Sequence, residues 1–198
     1  MLWNAPNLVT VLRIFLIPIF VIVYGLPYHW APVAAMALFI LAALTDWLDG
    51  FLARRLNQLS PFGAFLDPVA DKLMVVSALV MLSADSYIQS QVLNANFFVV
   101  VVLIIIGREI AVSALREWMS EVGERTRVAV SWAGKFKTSS QMFAIPFLLY
   151  QKPILGVSVI RVGELLLYAA AMLTLWSMLI YLRAAWPSLT RPGNNKGS

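Results

Sequence analysis

Cysteine is absent from this chain, histidine occurs once and charged residues are scarce. Without cysteine there is no disulfide framework, no thiol nucleophile and no thiolate metal site. Asp, Glu, Lys and Arg make up only 13% of the chain, against 61% hydrophobic residues and a mean hydropathy of +0.80. That balance excludes an ordinary soluble domain and describes a polytopic integral membrane protein. The 198 residues suffice for about six spanning helices at roughly 20 residues each. The lone His29 lies beside Pro27 and Trp30 between two apolar stretches and reads as an interfacial loop residue, not a ligand. No basic leader or small-residue cleavage pattern stands at the N-terminus, so the first apolar segment is expected to be retained.

The apolar runs predict an all-α fold of six transmembrane helices over 8–25, 32–56, 68–84, 93–118, 133–151 and 158–183. They form one membrane domain over 1–186, and the tail 187–198, with Pro187, Pro192, Gly193 and two asparagines, is expected to be disordered. Pro18 and Pro146 fall inside apolar runs, where a local loosening of the helix is tolerated. Tyr24, Tyr28, Trp30, Tyr87, Trp132, Tyr150 and Trp186 fall near predicted helix ends, as an aromatic belt would.

The net charge of +5 is distributed as topology requires, not as a run suited to a nucleic-acid backbone. Arg54 and Arg55 lie in one connecting segment, Arg116, Arg125 and Arg127 in another, and Arg183, Arg191 and Lys196 follow the last apolar run. The intervening connections around 25–32, 84–95 and 150–158 hold only Lys152. That alternation is the positive-inside pattern and puts both termini on the cytoplasmic side.

Against this background four aspartates stand out: Asp46 and Asp49, then Asp67 and Asp71. A carboxylate near hydrocarbon is costly, so ionisable residues there point to function. Residues three and four apart share a helix face, so each helix end presents two acids on one side. Two such helices side by side would gather four acids around one small volume, where like charges force protonation unless a cation intervenes. Hard oxygen ligands suit two ions of Mg²⁺ or Mn²⁺. At 1.5 Å per residue Asp46 lies roughly 20 Å along the helix from Pro32, just inside the cytoplasmic hydrocarbon boundary. Gly50, Ala53, Gly63 and Ala64 keep the surrounding surface small.

Written out, the segment is D-x-x-D-G-x-x-A-R, eight residues, then G-x-x-x-D-x-x-x-D, spanning Asp46 to Asp71. It resembles the signature of the CDP-alcohol phosphotransferase family, with every signature position filled. The flanking segments Asn4–Thr10, Asp67–Lys72, Gly107-Arg108-Glu109 and Gly134–Thr138 are similar to a bacterial branch of that family. The resemblance runs from residue 3 to about 185. It implies six transmembrane helices, a homodimer in the bacterial inner membrane, and a polar cavity open to the cytoplasm and sideways to lipid. It implies transfer of a phosphatidyl group from CDP-diacylglycerol to an alcohol with release of CMP, the acceptor in this branch being sn-glycerol 3-phosphate.

Carried onto these residues, Asp46, Asp49, Asp67 and Asp71 hold the metal ions, and Asp71 also serves, by the resemblance, as general base on the acceptor hydroxyl. Gly50 and Gly63 let the cytidine and its phosphates lie against backbone, and Arg54 contacts that end; Arg13, Thr10 and Asn7 are candidates for further contacts from the first helix. A phosphorylated acceptor needs cations beside the metals. Arg108, with Glu109 beside it, follows an apolar run, Arg116 lies about two turns beyond, and Lys135 and Lys137 begin the fifth spanning helix. A bidentate Arg and a mobile Lys make a phosphate grip, although residues two apart cannot both face one pocket, which favours Lys135. The bland alternative for Arg116 and Lys137 is snorkelling at the interface. Glu117, Glu121 and Glu124 share a basic loop and read as solvated ion pairs. A sister enzyme with another acceptor alcohol shares the signature. A divalent-cation transporter would place its acids nearer the midplane and show broken helices.

Overall fold

The computed structural model describes residues 5–56, 61–121 and 132–189, with the side chains at 5–6, 47, 49–56, 61–62, 64–65, 67–68, 121, 132–140 and 187–189 lying outside the description. Seven helices account for the described chain: α1 (Ala5–Tyr24), α2 (Ala31–Leu56), α3 (Pro61–Ala84), α4 (Ser86–Gln91), α5 (Ala95–Glu121), α6 (Trp132–Tyr150) and α7 (Val159–Leu189). Three of them, α1, α5 and α7, are long and apolar enough to cross a membrane; α2 and α6 carry shorter apolar stretches at Ala31–Asp46 and Gln141–Tyr150. Six of the seven helices match the expected runs. The chain departs from expectation at three boundaries. α3 begins at Pro61 instead of 68, so Asp67 stands inside the helix and not ahead of it. The short α4 interrupts what was read as a loop. α7 continues to Leu189, past the tail boundary expected at 187, and the rest of that tail lies outside the described residues.

The bundle is apolar on both its inner and outer surfaces. Its core is built from Phe20, Phe39, Leu79, Leu82, Phe98, Ile105, Ile145 and Leu148. The outward face of α1 carries Leu8, Leu12, Phe15, Ile19 and Ile22, all exposed. Their alternating spacing of four and three keeps them on one stripe, which suits hydrocarbon and has no place in water. Small buried residues, among them Ala35, Ala42, Ala70, Ala78, Ala144 and Ala170, let helices approach closely. At Gly163 of α7 the helices also approach closely, since an added Cβ would lie 2.9 Å from the Leu148 side chain and 3.0 Å from its backbone nitrogen.

α1 packs on α2 and α3, α6 on α7 and α2, and α5 on α7 and α3. Chain direction alternates, so the bundle has two polar ends. One gathers the first half of α1, the signature portions of α2 and α3, and the second halves of α5 and α7. At the other end α6 closes on Gln151 in the left-handed region, at φ 60°, and a tight hairpin follows. There Ile154 pairs with Val157 across Leu155 and Gly156, both at positive φ, the pattern of a two-residue turn that suits a right-twisted hairpin. His29 lies exposed in the α1–α2 connection, as expected, and beside it Tyr28 and Trp30 stack at 5.7 Å.

Candidate active site

α2 is unbroken through Leu56 and α3 from Pro61, so helix register sets positions 46 and 49 on one face of α2 and positions 67 and 71 on one face of α3. Of these four acids, Asp46 and Asp71 have described side chains, and both border the same pocket. Its walls are Phe39, Ala42 and Ala43 of α2, Met74 and Val75 of α3, and Met142 of α6. The space amounts to about 230 Å³, part of it open solvent. It is apolar on its walls and acidic at its rim. Thr45, next to Asp46, turns its hydroxyl back to the carbonyls of Leu41 and Ala42 at 2.9 and 2.8 Å and so leaves the rim to the acids.

Arg13 of α1 completes the pocket. Its side chain is 1% exposed, and its Nη1 donates to Asp46 Oδ1 at 2.5 Å. A guanidinium so deep in an apolar helix is costly unless paired, and Asp46 is its partner. Asn7 and Thr10, on the same face of α1, are buried as well. Arg13, expected with Asn7 and Thr10 to reach the nucleotide, here meets a carboxylate of the acidic signature.

The second group of expected residues lies between α5 and α7. Arg108 is buried; its Nη1 donates to Glu109 Oε1 at 3.1 Å and its Nη2 to Ser177 Oγ at 3.0 Å. Arg116 is exposed; its guanidinium sits 5.3 Å from the centroid of the Tyr181 ring and donates to the Tyr181 hydroxyl at 3.3 Å. Neither arginine lines the pocket of Asp46 and Asp71. Gly63 is buried near the start of α3. The side chains expected at Asp49, Arg54, Asp67, Lys135 and Lys137, and the surroundings of Gly50, lie outside the described residues, although the helices that carry them are described.

Among the described residues no three acidic or histidine side chains converge as a metal site. The donors that are described nevertheless fit a hard divalent cation: two carboxylates from adjacent helices border one pocket, with no thiolate or imidazole to favour a softer metal.

Comparison with known proteins gives the geometry its context. Residues 3–176 match the family model described as CDP-alcohol phosphatidyltransferase. The chain belongs to that family. It is 52% identical over 197 residues to the CDP-diacylglycerol–glycerol-3-phosphate 3-phosphatidyltransferase of Pseudomonas fluorescens, covering 98% of this chain and 95% of that one. It is 51% identical over 185 residues to the protein of the same name from Escherichia coli K12, covering 93% and 96%. The counterpart of Salmonella paratyphi A is 50% identical over the same length. The resemblance read from the aspartate signature is borne out across nearly the whole chain. What sequence reading missed in this phosphatidyltransferase-family member is the polar face of α7. Ser177 and Tyr181 gave no signal, because a serine and a tyrosine in an apolar run are common, and only their approach to α5 gives them meaning.

Proposed function

We propose that this chain transfers the phosphatidyl group of CDP-diacylglycerol to sn-glycerol 3-phosphate, forming phosphatidylglycerophosphate and releasing CMP. The observation that carries the reading is the meeting of Asp46 and Asp71, from two helices, at one pocket beside the buried Arg13. The names of the three relatives support the choice of donor and acceptor.

Asp46, Asp49, Asp67 and Asp71 would hold two divalent cations, Mg²⁺ or Mn²⁺. Bound there, such ions supply neutralisation of the pyrophosphate and of the departing CMP. The remaining work falls to the chain. Asp71 takes the proton from the acceptor hydroxyl as its oxygen attacks the phosphorus next to the diacylglycerol, and the bond from that phosphorus to the CMP oxygen breaks. Gly50 and Gly63 give the nucleotide room against backbone, and Arg54 contacts it. The apolar walls, Phe39, Met74, Val75 and Met142, give the lipid end a surface that excludes water.

Arg108, Arg116 and, of the pair Lys135 and Lys137, Lys135 form the pocket for the acceptor's phosphate, with Arg108 the main anchor because it is both buried and hydrogen-bonded. All six long helices cross the bacterial inner membrane, with the acidic end and both termini cytoplasmic, because the basic connections cluster at that end. The protein acts as a homodimer, as the family likeness implies, and residues 1–186 make up the catalytic domain.

The test is to supply the purified protein with CDP-diacylglycerol and a panel of alcohols, with and without EDTA, and to follow CMP. Release that requires glycerol 3-phosphate and is lost with chelator is the expected result. Release with an unphosphorylated alcohol would instead assign the chain to a sister reaction.

A further inference from the structure

Thr174, Ser177 and Tyr181 are polar side chains within the apolar α7, and all three are buried. Their spacing of three and four puts them on one face, and α7 packs on α5. Ser177 is 0% exposed. Its hydroxyl donates to the Thr174 carbonyl at 2.9 Å and accepts from Arg108 Nη2 at 3.0 Å. A hydroxyl has one proton and two lone pairs. With the proton committed to the carbonyl of its own helix, the lone pairs are left for the guanidinium. Nη1 of the same guanidinium is held by Glu109 at 3.1 Å. The planar fork is therefore fixed at two corners, while its buried Nε has no hydrogen-bond partner among the described residues.

Neutralisation alone does not account for this arrangement. Glu109 already supplies the countercharge, and a serine bonded back to its own helix needs no arginine. What Ser177 adds is orientation. A phosphate is recognised best by a guanidinium whose plane is set in advance, because less freedom is lost for each bond formed.

We propose that Ser177 is a positioning residue for the acceptor. It holds the Arg108 guanidinium so that the N–H groups not taken by Ser177 and Glu109 can meet the oxygens of the acceptor's phosphate. The inference rests on the assignment of Arg108 to the acceptor phosphate given above.

The experiment is steady-state kinetics of the full-length protein in mixed micelles, varying glycerol 3-phosphate and CDP-diacylglycerol separately, with thermal unfolding measured in parallel. Ser177→Ala should raise the glycerol 3-phosphate KM about ten-fold, the scale of one hydrogen bond to a charged group. The KM for CDP-diacylglycerol and the Tm should stay near wild type. Ser177→Thr, which keeps the hydroxyl, should restore the acceptor KM. Arg108→Ala should raise it further. Should Ser177→Ala fail to fold, Ser177→Cys, a near-isostere with a weak acceptor, carries the test and should give an intermediate rise.

An unchanged acceptor KM in the serine variants, alongside a raised one in Arg108→Ala, overturns the role of Ser177 and leaves that of Arg108 intact. An unchanged acceptor KM in Arg108→Ala removes the reading of Arg108 and this inference with it. Parallel rises in both KM values, or no rescue by threonine, make Ser177 a packing residue and overturn the proposal.

Discussion

At one end of the bundle Asp85 accepts from four groups at once, whereas at the other Asp46 and Asp71 border an open pocket. The four donors to Asp85 are the Tyr24 hydroxyl at 2.6 Å, Gln151 Nε2 at 3.0 Å, and the backbone nitrogens of Tyr87 and Ile88 at 2.8 and 3.3 Å. Nearby, Glu164 is 0% exposed; its two oxygens accept from the Leu93 nitrogen at 2.9 and 3.2 Å, and Oε1 also accepts from the Tyr168 hydroxyl at 2.7 Å. Arg161 Nε donates to the Gln91 carbonyl at 2.8 Å. These bonds tie the ends of α1, α3, α4, α5, α6 and α7 together. All four carboxylate oxygens of Asp85 and Glu164 are thus used by the protein itself, an arrangement that serves stability.

The acidic end keeps its carboxylates at the rim of a pocket. Asp46 remains 42% exposed although Arg13 engages one of its oxygens. Two carboxylates bordering one space repel, and the proposed cations would offset that repulsion. The number of protein donors around each carboxylate separates the two ends, and the proposed function gives that difference a purpose.

The largest effect that would sharpen this contrast is catalytic. Asp71→Asn should lower turnover by at least about 10³-fold, within the range for loss of a general base, while the Tm and CDP-diacylglycerol binding persist; retained turnover would break the distinction between the ends. Glu164→Ala should do the reverse. It leaves the Leu93 N–H and the Tyr168 hydroxyl without their partner and should cost about 2–3 kcal/mol in unfolding measurements, with KM values preserved in the folded fraction.

Gly163→Ala probes the same end through packing. The added Cβ meets a backbone nitrogen at 3.0 Å, which cannot yield as a flexible side chain would, so about 1–3 kcal/mol is expected. The smallest effect is Asp85→Asn. It keeps one oxygen for the cap, but its amide nitrogen cannot accept from Tyr24 and Gln151 as Oδ2 does, for about 1–2 kcal/mol in a thermal melt.

Much of this was legible in the residues. Helical runs of about 20 apolar residues are set by hydrocarbon thickness, and the three helices long and apolar enough to span, α1, α5 and α7, fall close to where expected. Acids spaced three and four apart name a helix face without any coordinates, so the signature was readable too. Residues whose meaning depends on distant partners were not readable. Glu164 finds the Leu93 nitrogen 71 positions away, Arg108 finds Ser177 across 69, and Arg13 meets Asp46 across 33. No spacing rule within one helix anticipates such pairs. The early start of α3 was hidden by Pro61, which suits a first helical turn as well as a loop.

The central claim is that the carboxylates of α2 and α3 act together on divalent cations, and Mn²⁺ titration of the detergent-purified protein, followed by electron paramagnetic resonance, tests it most directly. Saturable binding of two ions is expected, weakened at least about ten-fold in both Asp46→Asn and Asp71→Asn; before metal is added the melting curve should be unchanged in Asp71→Asn and lowered in Asp46→Asn, which removes the carboxylate paired with the buried Arg13. Wild-type binding in both variants, or none in the unaltered protein, would contradict it.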